Sequence, residues 1–167
     1  ALNLGINIKV IRKAFKKFTG IQRRFTKVFS TNGRDYYDDY AHHPTEIEAV
    51  LSSAREVYKK RKIICVFQPH RYSRVQLLKS QFASSFKLCD LTILCPVYPA
   101  GEKNKYKFNQ QKFSELIEKK SKVQVVNIAN QTDLKNFLRK NVYNDEMVIC
   151  MGAGSISQWI RKISKVL

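Results

Sequence analysis

The chain has 167 residues, 44% of them hydrophobic, and its 31 Lys and Arg exceed its 13 Asp and Glu to leave a formal charge of +18. That length suits one compact domain whose core needs no disulfide or metal staple, and the apolar content excludes a disordered chain. No apolar run approaches the roughly 20 residues that span a bilayer, and the start, ALNLGINIKV, has no signal-peptide pattern, so a soluble cytoplasmic domain without a membrane partner is expected.

The periodicity predicts a helix over 7–18, capped by Asn7, with Ile6, Val10, Ala14 and Phe18 on its apolar stripe, Ile11 and Phe15 beside them, and a stop at Thr19–Gly20. Strands at Arg23–Phe29 and Asp35–Asp39 flank Thr31-Asn32-Gly33, where Asn-Gly is a strong hairpin signal. Pro44 opens a helix to about Lys60, with Ile47, Val50, Leu51, Ala54 and Val57 inward. Strand and helix then alternate. Strands are expected at Lys62–Phe67, Leu91–Cys95, Val123–Ile128 and Met147–Met151. Helices are expected at Ser73–Phe86 on Leu77, Leu78, Phe82 and Phe86, near Asn109–Lys119, at Thr132–Lys140 capped by Thr132, and at Ser155–Val166. This order indicates a doubly wound, mostly parallel α/β sheet with helices on both faces. The opening helix stands apart from it.

Cys65, Cys89, Cys95 and Cys150 form no CxxC pair and sit in or beside apolar runs, so reduced, buried thiols are expected. The charge is uneven: residues 1–34 carry nine Lys or Arg and no acid, whereas 35–56 carry six acids and one Arg. A positive balance favours phosphate-bearing partners, but Lys is spread over nearly every element and names none of them.

Ligands of open α/β sheets sit beyond the carboxyl ends of the strands, and the informative segments fall there. Asp38-Asp39-Tyr40-Ala41-His42-His43-Pro44 places two carboxylates, a phenol and two imidazoles at one strand end. Helix capping by His43 or Asp39, or a carboxylate accepting ribose hydroxyls, fits this spacing better than a metal site. Gln68-Pro69-His70-Arg71-Tyr72-Ser73-Arg74 puts three potential cations, His70, Arg71 and Arg74, beside a helix start, which reads as an anion site. Arg23-Arg24, within the expected strand, can turn only one side chain inward. Gly152-Ala153-Gly154-Ser155 is a tight turn or a weak phosphate loop, and no GxxxxGK[ST] occurs.

In this order, QRRF (22–25), DDYAHHPTE (38–46), FQPHRYSR (67–74), VYPAGE (97–102) and GAGSI (152–156) resemble the C-terminal domain of the Mur ligases of bacterial peptidoglycan synthesis. The likeness covers nearly the whole chain, with the alanine-adding branch favoured over the murein tripeptide recycling ligase, which differs at FQPHRYSR. The family has Gly where Gln22 and Ala41 stand. The resemblance implies a Rossmann-like domain over 21–167, preceded at 1–20 by the last helix of a missing central ATPase domain. It also implies a reaction in which ATP, with Mg²⁺ held in that central domain, activates the carboxylate of UDP-N-acetylmuramate and L-alanine displaces phosphate. Arg24 would then contact the ATP phosphates and Asp39 the ribose. Tyr40 and His42 would lie near adenine or the amino acid. His70, Arg71 and Arg74 would hold the alanine carboxylate and the developing charge. Without the N-terminal and central domains no turnover is expected. The rival readings are a basic nucleic-acid-binding module, which the core-facing spacing of the aromatic residues opposes, and a folded relic without a reaction.

Overall fold

Short β-branched runs between amphipathic stretches build a sheet covered on both sides. The computed structural model describes residues 2–17, 21–143 and 145–165. Its strands are β1 (Thr26–Thr31), β2 (Arg34–Asp39), β3 (Lys62–Phe67), β4 (Leu91–Leu94), β5 (Gln124–Asn127) and β6 (Glu146–Met151). They lie side by side in the order β1-β2-β6-β3-β4-β5. Every neighbouring pair is parallel except β1 with β2. That hairpin turns through Asn32 (φ 48°) and Gly33 (φ 73°), two left-handed residues whose twist matches the strands they join.

The helices are α1 (Ile8–Lys17), α2 (Pro44–Val57), α3 (Tyr72–Leu77), α4 (Lys79–Ser84), α5 (Gln110–Ser121), α6 (Gln131–Asn141) and α7 (Ile156–Ile163). Helices α2 to α5 bury Ile47, Leu51, Val75, Phe82, Phe113 and Ile117 in one core with Phe67 and Met151. Helices α6 and α7 bury Leu134, Leu138, Ile156 and Ile160 in the other, with Val66 and Cys150. Phe67 packs against Phe82 and Phe86 with ring centroids 5.6 and 5.4 Å apart. All four cysteines are free and buried. Burial pushes the Cys65 and Cys150 thiols well up, and that of Cys95 up to about 12. Among the described residues no helix is long and apolar enough to cross a membrane.

Four local expectations are corrected. The first strand begins at Thr26, not Arg23, because Arg23 (φ 60°) and Phe25 (φ 45°) are left-handed and fold the chain back over the end of β2. There the Tyr40 N–H donates to the Arg23 carbonyl (2.7 Å). The helix expected over Ser73–Phe86 is two, broken at Leu78 (φ −106°, ψ 18°). The bend lets Val75 and Phe82 both reach the core and leaves Leu77 82% exposed. Helix α2 ends at Val57, which is exposed, while Tyr58 packs against the core in its place. Helix α6 is capped by Asn130, whose Oδ1 accepts the Asp133 N–H at 3.0 Å, rather than by Thr132.

Asn7 does cap α1, its Oδ1 accepting the Lys9 N–H at 2.9 Å. No residue of α1 is buried, and Ile8, Val10 and Phe15 are exposed. Phe18, Thr19 and Gly20, expected to end this helix, and Val166, expected to end the last, lie outside the described residues.

Candidate active site

Strands β3 and β6 are neighbours, yet the chain leaves β3 for a helix on one face and β6 for a helix on the other. A crevice therefore opens between their carboxyl ends, the place where open α/β sheets take ligands. Gln68, the first residue after β3, bridges it. Its N–H donates to the Met151 carbonyl (2.9 Å) and its Nε2 to Ser155 Oγ (3.1 Å), while its Oε1 accepts the Ile156 N–H (2.9 Å). The glycines opposite are explained by close packing. A Cβ on Gly152 (φ 150°) would lie 2.7 Å from the Gln68 carbonyl oxygen, and one on Gly154 would lie 2.5 Å from Tyr98 Cγ. Gly152-Ala153-Gly154 is a wedge of small residues with bare backbone at its two glycines, in line with the tight-turn reading.

The loop after β2 is organised by two carboxylates. Asp39, 2% exposed, accepts the Ala41 N–H on Oδ1 and the Phe25 N–H on Oδ2, each at 2.7 Å. Ala41 is buried and is not among the left-handed residues, so its methyl meets no backbone strain where the resembled family carries Gly. Glu46 Oε2 accepts the His42 and His43 N–H groups at 2.9 and 3.1 Å and so fixes the start of α2, with His43 at the cap and Pro44 in the first turn. Burial opposes the charge on Glu46, but these hydrogen bonds and the neighbouring His42 and Arg24 outweigh it and hold its carboxyl below the usual range.

The two arginines of the first turn have separate places. Arg23 donates from Nη2 to the Gly152 carbonyl, sits 3.8 Å from Asp38 Oδ1, and lies 4.6 Å from the centroid of the Tyr40 ring. Asp38 is fully buried and also accepts from Ser157 Oγ and from Arg161 Nη2. Arg24 is half-exposed, 5.8 Å from the same Tyr40 ring and 3.9 Å from Glu46. One guanidinium is built into the fold and the other is left at the rim.

From Tyr40 a run of rings crosses the crevice. Tyr40 and His42 are 5.0 Å apart, His42 and His70 6.1 Å, and His70 and Tyr98 5.5 Å. The β2 and β3 segments thus share one rim. Arg71 begins α3 in a left-handed conformation (φ 68°), and strain of this kind in a non-glycine residue gathers at functional sites. His70 Nδ1 and Arg74 Nη1 are buried atoms with no hydrogen-bond partner among the described residues, which marks polar groups free to meet a ligand. Burial, reinforced by the charges of Arg74 and Arg71 and by His42, pushes the His70 imidazole below its ordinary range. At neutral pH the arginines therefore carry the positive charge, and His70 is a neutral ring among them.

Gln68, Tyr98, Glu46 and Glu102 lie in segments the sequence marked out, but no role was read for any of them. Glu46 alone had a signal, standing three residues after His43 at capping-box spacing. Glu102 accepts from the N–H (3.0 Å) and Oγ (2.6 Å) of Ser73 and holds the 97–102 segment to the start of α3.

A family profile described as Mur ligase, glutamate ligase domain, matches residues 23–154, from Arg23 of the first turn to Gly154 of the wedge. The chain belongs to the Mur ligase family. It has the mostly parallel α/β fold of a Mur ligase C-terminal domain. The UDP-N-acetylmuramate–L-alanine ligase of Pelagibacter ubique is 45% identical over 167 residues, matching 100% of this chain and 36% of that protein. The protein of the same name from Bradyrhizobium sp. (strain BTAi1) is 40% identical over 159 residues, matching 95% of this chain and 34% of its own length. The chain thus spans about a third of these curated relatives. The crystal structure of UDP-N-acetylmuramate–alanine ligase from Thermotoga maritima aligns with a TM-score of 0.75 at 25% identity, over 98% of this chain and 34% of that one. A murein peptide ligase from Psychrobacter arcticus, at 20% identity and a TM-score of 0.73, over 98% of this chain and 34% of that one, shares the fold. The aromatic residues that a nucleic-acid interface would need for stacking are largely spent on the cores, with Phe67, Phe82, Phe86 and Phe113 fully buried.

Proposed function

We propose that this Mur ligase C-terminal domain is part of a bacterial cytoplasmic ATP-dependent ligase that joins L-alanine to UDP-N-acetylmuramate, and that it supplies the rim that closes over the reactants. The observation that carries this reading is the meeting of His42 and His70, 6.1 Å apart, which unites the loop of Tyr40, with Arg24 of the first turn beside it, with the segment presenting Arg71 and Arg74. In the reaction the phosphoryl group of ATP converts the sugar carboxylate into an acyl phosphate, and the alanine amine displaces phosphate to form the amide.

Each side chain has a part suited to its surroundings. Arg71 and Arg74 hold the alanine carboxylate and the charge that grows on the reacting centre, fixed cations being the largest lever a protein has on such chemistry. His70, neutral between them, accepts or donates a single hydrogen bond without adding charge. Tyr40 and His42 form the wall beside adenine or the amino acid. Arg24, half-exposed, is free to meet an ATP phosphate. Asp39 chiefly shapes its loop, since both its oxygens already accept backbone N–H groups, and a ribose contact would use the remaining lone pairs.

On this reading the Mg²⁺ ligands, the phosphate loop and the UDP-sugar site belong to central and N-terminal domains, and α1 is the last helix of the central one. The test is ADP formation from ATP, UDP-N-acetylmuramate and L-alanine. The chain alone gives none. Supplying in trans the N-terminal two-thirds of an alanine-adding relative restores part of the turnover, less efficiently than a tethered domain. Arg71→Ala or Arg74→Ala lowers that restored rate by about 100-fold or more, the scale of losing one preorganised charge-stabilising donor. Turnover by the unaided chain, or indifference to both substitutions, would contradict the proposal.

A further inference from the structure

Tyr98 has no place in the reading above, yet three segments of the rim meet on it. Its N–H donates to the Pro69 carbonyl (2.8 Å) and its carbonyl accepts the Arg71 N–H (2.9 Å), so the chain at 98 runs beside His70 as a one-residue extension of the sheet. Its ring lies 5.5 Å from the His70 imidazole at an interplanar angle of 15°. It also rests on Gly154, where an added Cβ would come within 2.5 Å of Cγ and 2.6 Å of Cβ. Tyr98 is 38% exposed and belongs to neither core.

We propose that Tyr98 is a positioning residue: seated on the bare backbone of Gly154, its ring fixes the tilt of the His70 imidazole and keeps water off one of its faces, so that His70 meets an oxyanion in the orientation shared with Arg71 and Arg74. The glycine and the tyrosine form one device, because only a residue without a side chain at 154 lets the ring lie flat enough to stack. This inference deepens the reading of the rim as an oxyanion site and rests on it.

The test uses the 167-residue chain and inorganic phosphate as the probe. Its three histidines give separable imidazole signals in NMR, and His70→Gln assigns the one that matters. The groups facing that ring are His42 from the β2 loop, Arg71 and Arg74 from its own loop and helix, and Glu102 from the segment after β4. Tyr98→Ala leaves these in place and admits water, so His70 titrates at higher pH than in the parent. Phosphate then binds about tenfold more weakly, as for one lost charge-assisted hydrogen bond. Tyr98→Phe restores both quantities, because it keeps the stack. Gly154→Ala, with Tyr98 intact, reproduces the titration shift by displacing the ring. An unchanged His70 titration in Tyr98→Ala, or failure of Phe to restore it, overturns the proposal. If Tyr98→Ala does not fold, Tyr98→Leu keeps the bulk but loses the flat stack, so the phosphate affinity, which falls, decides in place of the titration. A parent His70 signal indifferent to phosphate overturns the oxyanion reading instead, and the titration then decides the role of Tyr98 alone.

Discussion

Asp38 and Asp39 are adjacent, buried and differently employed, and neither use was visible in their spacing. Asp39 binds backbone and shapes a loop. Asp38 gathers Ser157, Arg161 and Arg23 around one carboxylate. Asp38→Ala strands the partly buried Arg23 without its counter-charge and lowers stability by about 3 kcal/mol, measured by urea unfolding. At the opposite end of the sheet Asp35 shows a pH dependence. Burial opposes its ionisation, but hydrogen bonds from Arg61, Lys27 and Ser30 outweigh that and hold its carboxyl far below the usual range. A depressed carboxylate stabilises the fold fully above its unfolded pKa of about 3.9 and loses that contribution as pH falls toward its folded value. Asp35→Asn is therefore less stable than the parent at pH 7, and the gap narrows as unfolding is measured at successively lower pH beneath that point. Ala41→Gly, which would match the glycine expected from the family, costs about 1 kcal/mol, because a normal backbone angle gains nothing from glycine and the unfolded chain gains freedom. Residue type announced the polar cluster at 38–44 and the cations at 70–74. It did not announce that Arg23 and Phe25 would be left-handed, since nothing in an Arg or Phe favours that region.

At the scale of elements, strands and helices were legible wherever a β-branched run or a helical stripe met a turn residue, as at Lys62–Phe67 and Asn32-Gly33. The break at Leu78 was not, because Leu77, Leu78, Phe82 and Phe86 keep helical spacing through the bend. Periodicity records which residues are apolar, and tertiary packing then decided that Val75 and Phe82 would face the core while Leu77 would not. Helix α1 is the reverse case: legible as a helix and as an outlier. With no buried residue and only ten residues, it lies below the length at which isolated helices hold together in water. Its amides exchange with solvent quickly in the 167-residue chain, while those of β3 and β6 are protected. Protection of α1 in a dilute monomer would mean that it packs on this domain.

For the whole molecule, the alternation along the chain revealed a doubly wound sheet but not its strand order. That order was hidden because helical connections can carry the chain to either side of β3. The last strand, β6, does not extend the edge reached by β5 but inserts between β2 and β3, and this insertion puts the wedge at 152–154 against Gln68 and Tyr98. A chain ending at Val142 leaves β2 and β3 each without a partner on one side, and its urea transition, followed by circular dichroism, is broad and non-cooperative. The same topology bears on how the protein is made. As the ribosome delivers the chain, the hairpin and the β3–β5 piece emerge early yet have no common hydrogen-bonded partner, and the greasy Ile63–Phe67 segment stays uncovered on one flank. Only when Met151 clears the exit tunnel can the two halves be zipped into one sheet, so a stalled or truncated nascent chain would be a client for chaperones rather than a partly working domain.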